Sequence, residues 1–474
     1  MNILFLLDLA PKYHPMLVGI SRELAAQGHK VFHAMDSPQN LVRFPEHAPP
    51  GPLKIFSEFL ADHQASGKEP GDFPWTAFFP DFDRYEHYGV NYGNKQDWYL
   101  HLASALDAFF DQCMTEWEID AVVYEGVTNS YSFFASKAAE RHGATYLGLQ
   151  ESRLPGRHEW HGTSEAYMRD HVAALYRQLE GGDPETREEK EWLESYLASF
   201  NSSTPNYMLS NGLNLESPVK KYAKIGHLTT FRRLLLYELT HRGPRGRNYR
   251  SGSPFHYSAR HVKRSITRWL RSFHLGHYFD DVPEHERFYL YPLHFHPEAS
   301  TSVNSRWYVD EYPVIKNLAF SLPPGTWLYV KDHLSAFAYP EREFYQKLAA
   351  LPNVRLIRPT ENLKELLPRS IGLITQTSTA GYEAIVLGKP VWVLGEVFYD
   401  FHPLCRKIGW NSALGDMLSE KTFVVPDEAE GRNMALAYYR FTSPGALPLD
   451  GELSNCAPMK QLAEEIEALL EPGK

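Results

Sequence analysis

Residues 373–391 read LITQTSTAGYEAIVLGKPV, the most informative run in the chain. An apolar strand ends in hydroxyl-bearing residues, a helix follows, and the turn Gly388-Lys389-Pro390 leads into the next strand. A strand, a helix and a second parallel strand are the unit from which doubly wound α/β sheets are built. The run therefore predicts a parallel sheet with ligand-binding loops at the carboxyl ends of its strands.

The same alternation extends in both directions from this run. The chain opens on an apolar strand at 2–7, a helix with Leu17, Ile20 and Leu24 on one face, and a strand at 31–34. Further alternation is predicted at 102–149, and again from 288 to 394, before a final amphipathic helix at 459–470. Strands are predicted at 121–124, 145–149, 288–294, 327–331, 354–358, 371–376 and 391–394.

The length of 474 residues exceeds one hydrophobic core, so two domains are expected. We predict an α/β protein in which two doubly wound Rossmann-like domains face a cleft, with a helical insertion between them. The predicted bounds are 1–160 for the N-terminal domain, 161–284 for a mainly helical basic insertion, and 285–474 for the C-terminal domain. An irregular aromatic insertion is predicted at 45–98.

Composition excludes several classes of protein. The chain has 43% hydrophobic and 22% charged residues, as in soluble globular proteins, and no apolar run long enough to span a membrane. Three cysteines fit a reducing compartment, which predicts a cytoplasmic protein. Motifs of P-loop ATPases, dinucleotide oxidoreductases, α/β-hydrolases and zincins are absent from the sequence.

Charge is distributed unevenly. The net charge is −10, yet residues 217–278 hold 14 Lys and Arg against one acid, Glu238, so the remainder carries −23. That remainder argues against a nucleic-acid partner. Apolar residues such as Trp269 and Phe273 lie among the basic ones. Such helices either bind an anionic membrane surface, which would place the protein at the inner face of the membrane, or pack against the two domains.

The hydroxyl-rich loop is the first candidate binding site. Amides at the start of a helix attract phosphate, hydroxyls add neutral donors, and a carboxylate one turn later suits the hydroxyls of a ribose. The alternative is that Ser378 or Thr379 only caps the helix and Glu383 is a first-turn acid. The candidate donor-binding residues here are Thr377, Ser378, Thr379, Gly381 and Glu383.

With YPLHFHPE at 291–298 and VKDH at 330–333, this run resembles the capsule polysaccharide biosynthesis family. The resemblance covers about 288–395 and extends weakly to VVYEG at 122–126. It implies a GT-B-like fold and a bacterial transferase that uses CMP-Kdo as donor. The family's Lys-x-His-Pro is Lys331-Asp332-His333-Leu334 here, which keeps His333 and Lys331 as candidate donor contacts but leaves the nucleotide open.

Alternating residues on the strand that begins near 288 share one face, which brings His294, His296 and Glu298 together. Two histidines and a carboxylate suit a metal ion, a substrate contact or a structural network. Since GT-B enzymes do not generally need a catalytic metal, we predict no metal and assign His296 and Glu298 to donor binding.

Glu125 follows the predicted strand 121–124, at the carboxyl edge of the N-terminal sheet. A carboxylate there would act as a base that takes the proton from an acceptor hydroxyl, or as a nucleophile, or would cap the next helix. Glu151 and Arg153 follow the strand 145–149 and are candidate acceptor contacts or parts of a solvated loop, and Asp8 is a further candidate. The D-x-D at Asp81-Phe82-Asp83 lies outside any strand end and is rejected as a metal motif.

Together these features predict a metal-independent glycosyltransferase without a cofactor. The C-terminal domain would bind a nucleotide-sugar donor. The N-terminal domain would bind a glycan or lipid-linked glycan acceptor, with Glu125 and His333 as catalytic residues. Two alternatives remain open: a GT-B-like nucleotide-sugar epimerase, and a non-catalytic subunit that binds nucleotide or glycan.

Overall fold

The computed structural model describes residues 1–8, 10, 12–63, 73–81, 95–202, 226–409, 414–418, 428–449 and 457–471, the side chains of residues 226–230, 417 and 428 excepted. The described residues form two β-sheets with helices packed on their faces. The predicted α/β class, with two doubly wound sheets in a GT-B-like arrangement, is confirmed.

The described strands of the first sheet are β1 (Asn2–Leu7), β2 (Lys30–Met35), β3 (Leu53–Ile55), β4 (Ala121–Tyr124), β5 (Thr145–Glu151), β6 (Arg157–His161) and β13 (Ser443–Pro444). Their order is β13-β6-β5-β4-β1-β2-β3. β1 to β5 run parallel, while β6 and β13 add an antiparallel edge. The central strands are buried on both faces, which explains their almost continuous apolar sequence.

The described strands of the second sheet are β7 (Phe288–Pro292), β8 (Trp327–Lys331), β9 (Val354–Ile357), β10 (Gly372–Thr375), β11 (Val391–Val393) and β12 (Cys405–Lys407). All pairs are parallel, in the order β12-β11-β10-β7-β8-β9. This is the strand order of the dinucleotide-binding α/β fold. The quoted run 373–391 forms β10, its helix and β11, as predicted.

Helices cover both sheets. In the first half of the chain they are α1 (Tyr13–Ala26), α2 (Gln39–Arg43), α3 (Phe56–Asp62), α4 (Gln96–Trp117), α5 (Ser130–His142), α6 (Glu165–Glu180), α7 (Arg187–Ala198), α8 (Gly226–Thr240) and α9 (Pro254–Ser272). In the second half they are α10 (Ala299–Ser302), α11 (Glu311–Ser321), α12 (Arg342–Ala349), α13 (Leu363–Leu366), α14 (Ala380–Val386), α15 (Leu414–Met417), α16 (Glu428–Phe441) and α17 (Met459–Leu470). Short 3₁₀ helices lie at Trp75–Asp81, Pro244–Gly246, Gly276–Tyr278, Arg306–Tyr308 and Leu367–Arg369.

The chain crosses back to the first sheet near its end. β13 pairs with β6, and α17 packs on α1, so residues 443–449 and 457–470 lie with the N-terminal sheet. The sequence prediction placed these residues in the C-terminal domain. Glu465 of α17 explains the attachment, because its carboxylate accepts hydrogen bonds from His158 Nε2 (2.7 Å) and Trp160 Nε1 (2.8 Å) of β6.

The segment predicted as a helical insertion divides into two parts. α6 and α7 pack against α16 and share a hydrophobic core with the second sheet, through Met168, Val172 and Leu193 among others. α8 and α9 follow as a separate pair. In the described part of 45–98, β3 and α3 replace part of the irregular structure that was predicted. In the part of the chain that the structure describes, no helix has both the length and the apolar character needed to cross a bilayer.

Candidate active site

The two sheets approach each other near the carboxyl ends of their strands, where α10, which follows β7, contacts the 3₁₀ helix Trp75–Asp81. The chain order reverses between β1 and β4 in the first sheet and between β7 and β10 in the second. Ligands of open parallel sheets bind at such reversal points. Glu125 follows β4 and Glu298 follows β7, and the carboxylate of Glu298 lies close enough to raise the pKa of Glu125. The two sheets therefore meet across a cleft at the predicted edges.

Glu125 has an unusual environment for a carboxylate. It is half-buried at the end of β4, and burial raises its pKa to about 8, with further increases from the negative charges of Asp8 and Glu298. The positive charge of Arg250 opposes this rise without cancelling it. A carboxyl group with such a pKa exchanges its proton near neutral pH, as a general base or acid requires.

A buried ion cluster lies beside Glu125 and was not predicted as a unit. Arg250 donates from Nη2 to Oδ2 of Asp8 (2.8 Å) and to Oδ2 of Asp36 (3.0 Å), at the ends of β1 and β2. Asn248 also donates to Asp36 (2.7 Å). Burial raises the pKa of Asp36 to about 6 although Arg250 lowers it, and burial also raises the pKa of Asp81 to about 6. Residues 248–250 thus attach the basic segment to the ligand edge of the first sheet.

The loop after β10 is shaped by its own hydroxyl groups. The amide of Ser378 donates to Thr375 Oγ1 (3.0 Å), and the amide of Ala380 donates to Ser378 Oγ (3.2 Å). Thr377 Oγ1 donates to the carbonyl of Ser300 (2.9 Å) in α10. The hydroxyls of Thr377 and Ser378 therefore hold the loop in shape, and Thr379 stands directly before α14.

Gly381, in the first turn of α14, allows a close approach by an aromatic ring. A Cβ atom at this position would lie 2.1 Å from Tyr399 Oη. The same hydroxyl donates to the carbonyl of Ser378 (2.7 Å). The glycine is thus required by packing that fixes the loop 377–379.

Glu383, predicted to contact a ribose, forms an ion pair within the second domain. Lys364 Nζ lies 3.3 Å from its carboxylate and also donates to the carbonyl of Phe200 (2.9 Å). Burial raises the pKa of Glu383 and the charge of Lys364 lowers it. A ribose that bound to Glu383 would therefore share the carboxylate with Lys364 or displace Lys364 from it.

Two histidines after β7 share one carboxylate, Glu311 of α11. His294 Nδ1 lies 2.9 Å from Glu311 Oε1, and His296 Nε2 lies 3.3 Å from Oε2. Burial alone would raise the pKa of Glu311, but hydrogen bonds from both rings lower it to about 2. The amide of Thr377 donates to His294 Nε2 (3.4 Å), so the network reaches the loop after β10.

The arrangement of His294, His296 and Glu298 differs from a metal site. The histidines turn to Glu311, and Glu298 caps α10 by accepting from the amide of Thr301. Among the residues that the structure describes, no group of three His, Cys, Asp or Glu side chains is arranged to hold a metal ion. Of the rejected D-x-D, Asp81 accepts a hydrogen bond from the amide of Ser130 (3.3 Å), and residues 82–83 lie outside the described ranges.

Lys331 is tied to the backbone at the end of β8. Its Nζ donates to the carbonyls of Asp332 (3.2 Å) and Pro359 (3.1 Å). Burial lowers the pKa of Lys331 to about 8. The ammonium group therefore lies at the ligand edge but already has two backbone partners.

His333 is held in a defined orientation beside an aromatic ring. Its ring stacks on that of Phe295 with centroids 5.8 Å apart, and its amide donates to Asp332 Oδ1 (2.7 Å). The amide of Ser335 donates to His333 Nδ1 (3.2 Å). Nδ1 is therefore an acceptor, which in a neutral imidazole places the proton on Nε2.

Arg153, predicted as an acceptor contact or as part of a solvated loop, is partly buried between the two domains. Its guanidinium donates to the fully buried Glu159 (2.6 Å) and lies over the ring of Phe398 (4.8 Å) in the second domain. Tyr438 of α16 also donates to Glu159 (2.5 Å). Arg153 therefore joins the two domains, while Glu151 is half-buried at the end of β5.

Sequence reasoning missed Glu311 and Arg250. Glu311 reads as an ordinary first-turn acid of α11, next to the capping residue Asp310. Arg250 is one of many arginines in the basic segment, and nothing in its neighbours marks it as buried. The one available signal was Asp8, an acid at the end of a buried strand, which requires a partner.

The chain is similar to a known protein family and to several solved structures. Residues 225–413 match the model of a family described as capsule polysaccharide biosynthesis protein. The KpsC beta Kdo 2,4 transferase of Thermosulfurimonas dismutans is 16% identical with a TM-score of 0.34, covering 66% of this chain and 78% of that one. The KpsC beta Kdo 2,7 transferase is 10% identical with a TM-score of 0.34, covering 82% and 95%. MnaA of S. aureus, solved with UDP, is 11% identical with a TM-score of 0.30, covering 100% and 98%.

No curated protein matches the chain in sequence. The family match spans the histidines after β7, the end of β8 and the loop after β10, the same motifs on which the resemblance was based. Over residues 225–413 the chain is therefore similar to the capsule polysaccharide biosynthesis family, the family that its sequence was predicted to resemble.

Proposed function

We propose that the protein is a glycosyltransferase of capsule polysaccharide biosynthesis. The second domain binds a nucleotide-activated sugar, CMP-Kdo-like or other, and the first domain binds a surface-polysaccharide or glycolipid acceptor. The family match over 225–413 and the cleft between the ligand edges of two doubly wound sheets support this proposal. The reaction takes place in the cytoplasm, at the inner face of the membrane.

One feature carries the proposal: Glu125 follows β4 of the first domain and lies near Glu298 of the second domain, where burial raises the pKa of Glu125 to about 8. In the reaction, an acceptor hydroxyl oxygen attacks the anomeric carbon and transfers its proton to Glu125. The bond between that carbon and the nucleotide phosphate breaks, and the nucleotide leaves with the bonding electron pair. Glu125 acts as the general base of this transfer.

The second domain supplies the donor site in this proposal. The loop of Thr377, Ser378 and Thr379 and the imidazole of His333 bind the leaving phosphate, so that no metal ion or cofactor is required. Glu383 exchanges Lys364 for a ribose. The further proposed contacts are Gly381, His296, Glu298 and Lys331 to the donor, and Glu151 to the acceptor. Arg153 is likewise a proposed contact to the acceptor.

The first experiment measures thermal stability of the full chain with CMP, CDP, UDP, GDP and ADP, with and without EDTA. A nucleotide at 100 times its dissociation constant adds about 2.7 kcal/mol to the free energy of unfolding, which is readily detected. We expect a shift that persists in EDTA and disappears in His333→Ala. Gly276→Ala is the control, since a Cβ there meets no atom within 4 Å.

Activity then separates the alternatives. Transfer to an acceptor that Glu125→Gln abolishes supports the glycosyltransferase. Conversion of a free nucleotide-sugar without acceptor would identify an epimerase instead. Nucleotide or glycan binding without turnover, with acceptor supplied, would identify a non-catalytic subunit.

A further inference from the structure

The helices α8 and α9 expose large apolar side chains. Leu236 is 62% exposed and Phe273, just after α9, is 65% exposed, values that are unusual for side chains of this size in a folded protein. The ring centroids of Phe231 of α8 and Phe255 of α9 are 6.0 Å apart, so the exposed apolar residues of the two helices are adjacent. We call this surface the α8–α9 face; its exposed apolar residues are Phe231, Leu235, Leu236, Leu239, Phe255, Val262, Ile266, Leu270 and Phe273.

The side of α9 that packs against the protein is basic rather than apolar. Arg268 donates from Nε to the carbonyl of Phe337 (2.6 Å), and Arg271 donates from Nη1 to the carbonyl of Tyr339 (2.7 Å). An ordinary surface helix buries its apolar stripe and exposes its charges. Because α9 docks through its arginines, its apolar stripe is left on the outside.

Exposed positive charges lie beside the α8–α9 face. From residue 226 to 273 the sequence contains 11 Lys and Arg and a single acid, Glu238. Arg232, Arg233 and Lys263 are exposed beside the apolar residues. Apolar side chains flanked by exposed cations are the features with which interfacial helices bind anionic lipid.

We propose that the α8–α9 face seats the protein on an anionic phospholipid surface, with its apolar side chains inserted among the headgroups and its cations against lipid phosphates. The positive charge of the face favours an anionic lipid surface over two other occupants, a second copy of the chain and the chain's own segment 217–225. A second copy placed face to face brings the same positive charge, and the adjoining segment 217–225 is itself basic, with Lys220, Lys221 and Lys224. Neither neutralises the face.

The α8–α9 face is connected to the candidate active site through the chain between its two helices. Between α8 and α9, residues 244–253 reach the first sheet, where Arg250 pairs with Asp8 and Asp36 next to Glu125. A lipid-linked acceptor in the bilayer is thereby brought towards Glu125. This connection rests on the proposed function, whereas the lipid seat itself does not.

The test is flotation of the full chain with vesicles of phosphatidylcholine alone or mixed with phosphatidylglycerol, at low and at high salt. We expect binding to the mixed vesicles that weakens as salt rises. Neutralising two charges in Arg232→Gln/Arg233→Gln weakens binding by about 30-fold. Leu270→Ser/Phe273→Ser removes most of it. Trp307→Ser/Phe320→Ser changes equally exposed apolar residues elsewhere and leaves binding intact.

Three results would overturn the proposal that the α8–α9 face binds an anionic lipid surface. These are no binding to mixed vesicles, equal binding to phosphatidylcholine alone that the arginine variant does not change, or lipid-free self-association that Leu270→Ser/Phe273→Ser abolishes. The last would assign the face to a second copy. Because nucleotide-induced stabilisation is measured without lipid, failure of the seat and failure of the proposed donor site give separate results.

Discussion

At the scale of single residues, Glu125 links stability to activity. Its pKa rises from 4.5 to about 8 on folding. The folded state therefore binds more protons than the unfolded state between these values, and stability falls as pH rises through this window. Glu125→Gln removes the effect, so the variant is as stable as the wild type at pH 4 and more stable at pH 8, by about 2–4 kcal/mol.

Thermal melts of both proteins across this pH range check the expectation. Glu191→Gln, an exposed carboxylate on α7, is the matched control and leaves the pH profile unchanged. In the transfer assay, the wild-type rate rises with pH towards 8 as Glu125 loses its proton, and Glu125→Gln lowers it by about 100-fold or more. Melts of wild type and Glu125→Gln that stay parallel at every pH would show that Glu125 is not perturbed.

At the scale of elements, α14 and the loop before it depend on one glycine. In Gly381→Ala the new methyl group meets the buried ring of Tyr399, which also holds the Ser378 carbonyl. We expect a loss of about 1–3 kcal/mol in the free energy of unfolding and weaker nucleotide-induced stabilisation, since the loop must move. Urea unfolding with and without nucleotide measures both effects. Gly243→Ala, in open space, serves as control, and an unchanged Gly381→Ala would refute the packing argument.

Elements also show what the sequence can and cannot predict. Residues 121–124 were predicted as a strand and form β4 with the same bounds, because a buried parallel strand is an apolar run that periodicity detects. β3, β6, β12 and β13 were missed. β3 and β13 are three and two residues long, and β13 contains Pro444, so neither carries a repeating pattern. Their place in the sheet depends on pairing with distant residues.

The residues of the candidate site also fall into two groups, those that the sequence predicted and those that it did not. Residues at strand ends, such as Glu125 and His333, were predictable, because parallel sheets place ligands there. Glu311 and Arg250 were not, since each acquires its role only when a remote segment packs beside it. Buried pairs of this kind produce no recognisable spacing of residues in the sequence, because their members are far apart along the chain.

At the scale of the whole molecule, α17 belongs to the first domain. Glu465→Ala leaves the ring donors of His158 and Trp160 without their carboxylate, at a cost of about 1–3 kcal/mol. We expect faster hydrogen exchange in residues 157–161 and 443–449. Glu464→Ala, exposed on the same helix, is the control. Faster exchange confined to the second sheet would instead favour the domain bounds predicted from the sequence.

The return of the chain to β6 has a consequence for synthesis on the ribosome. Domains commonly fold in the order in which they emerge, the N-terminal one first. Here α6, α7, β7 to β12 and α16, which form the second domain, are made before Ser443 and Pro444 are available to pair with β6, and before α17 covers α1. The domain that is made first is therefore completed last, and until then β6 remains an open sheet edge on the nascent chain.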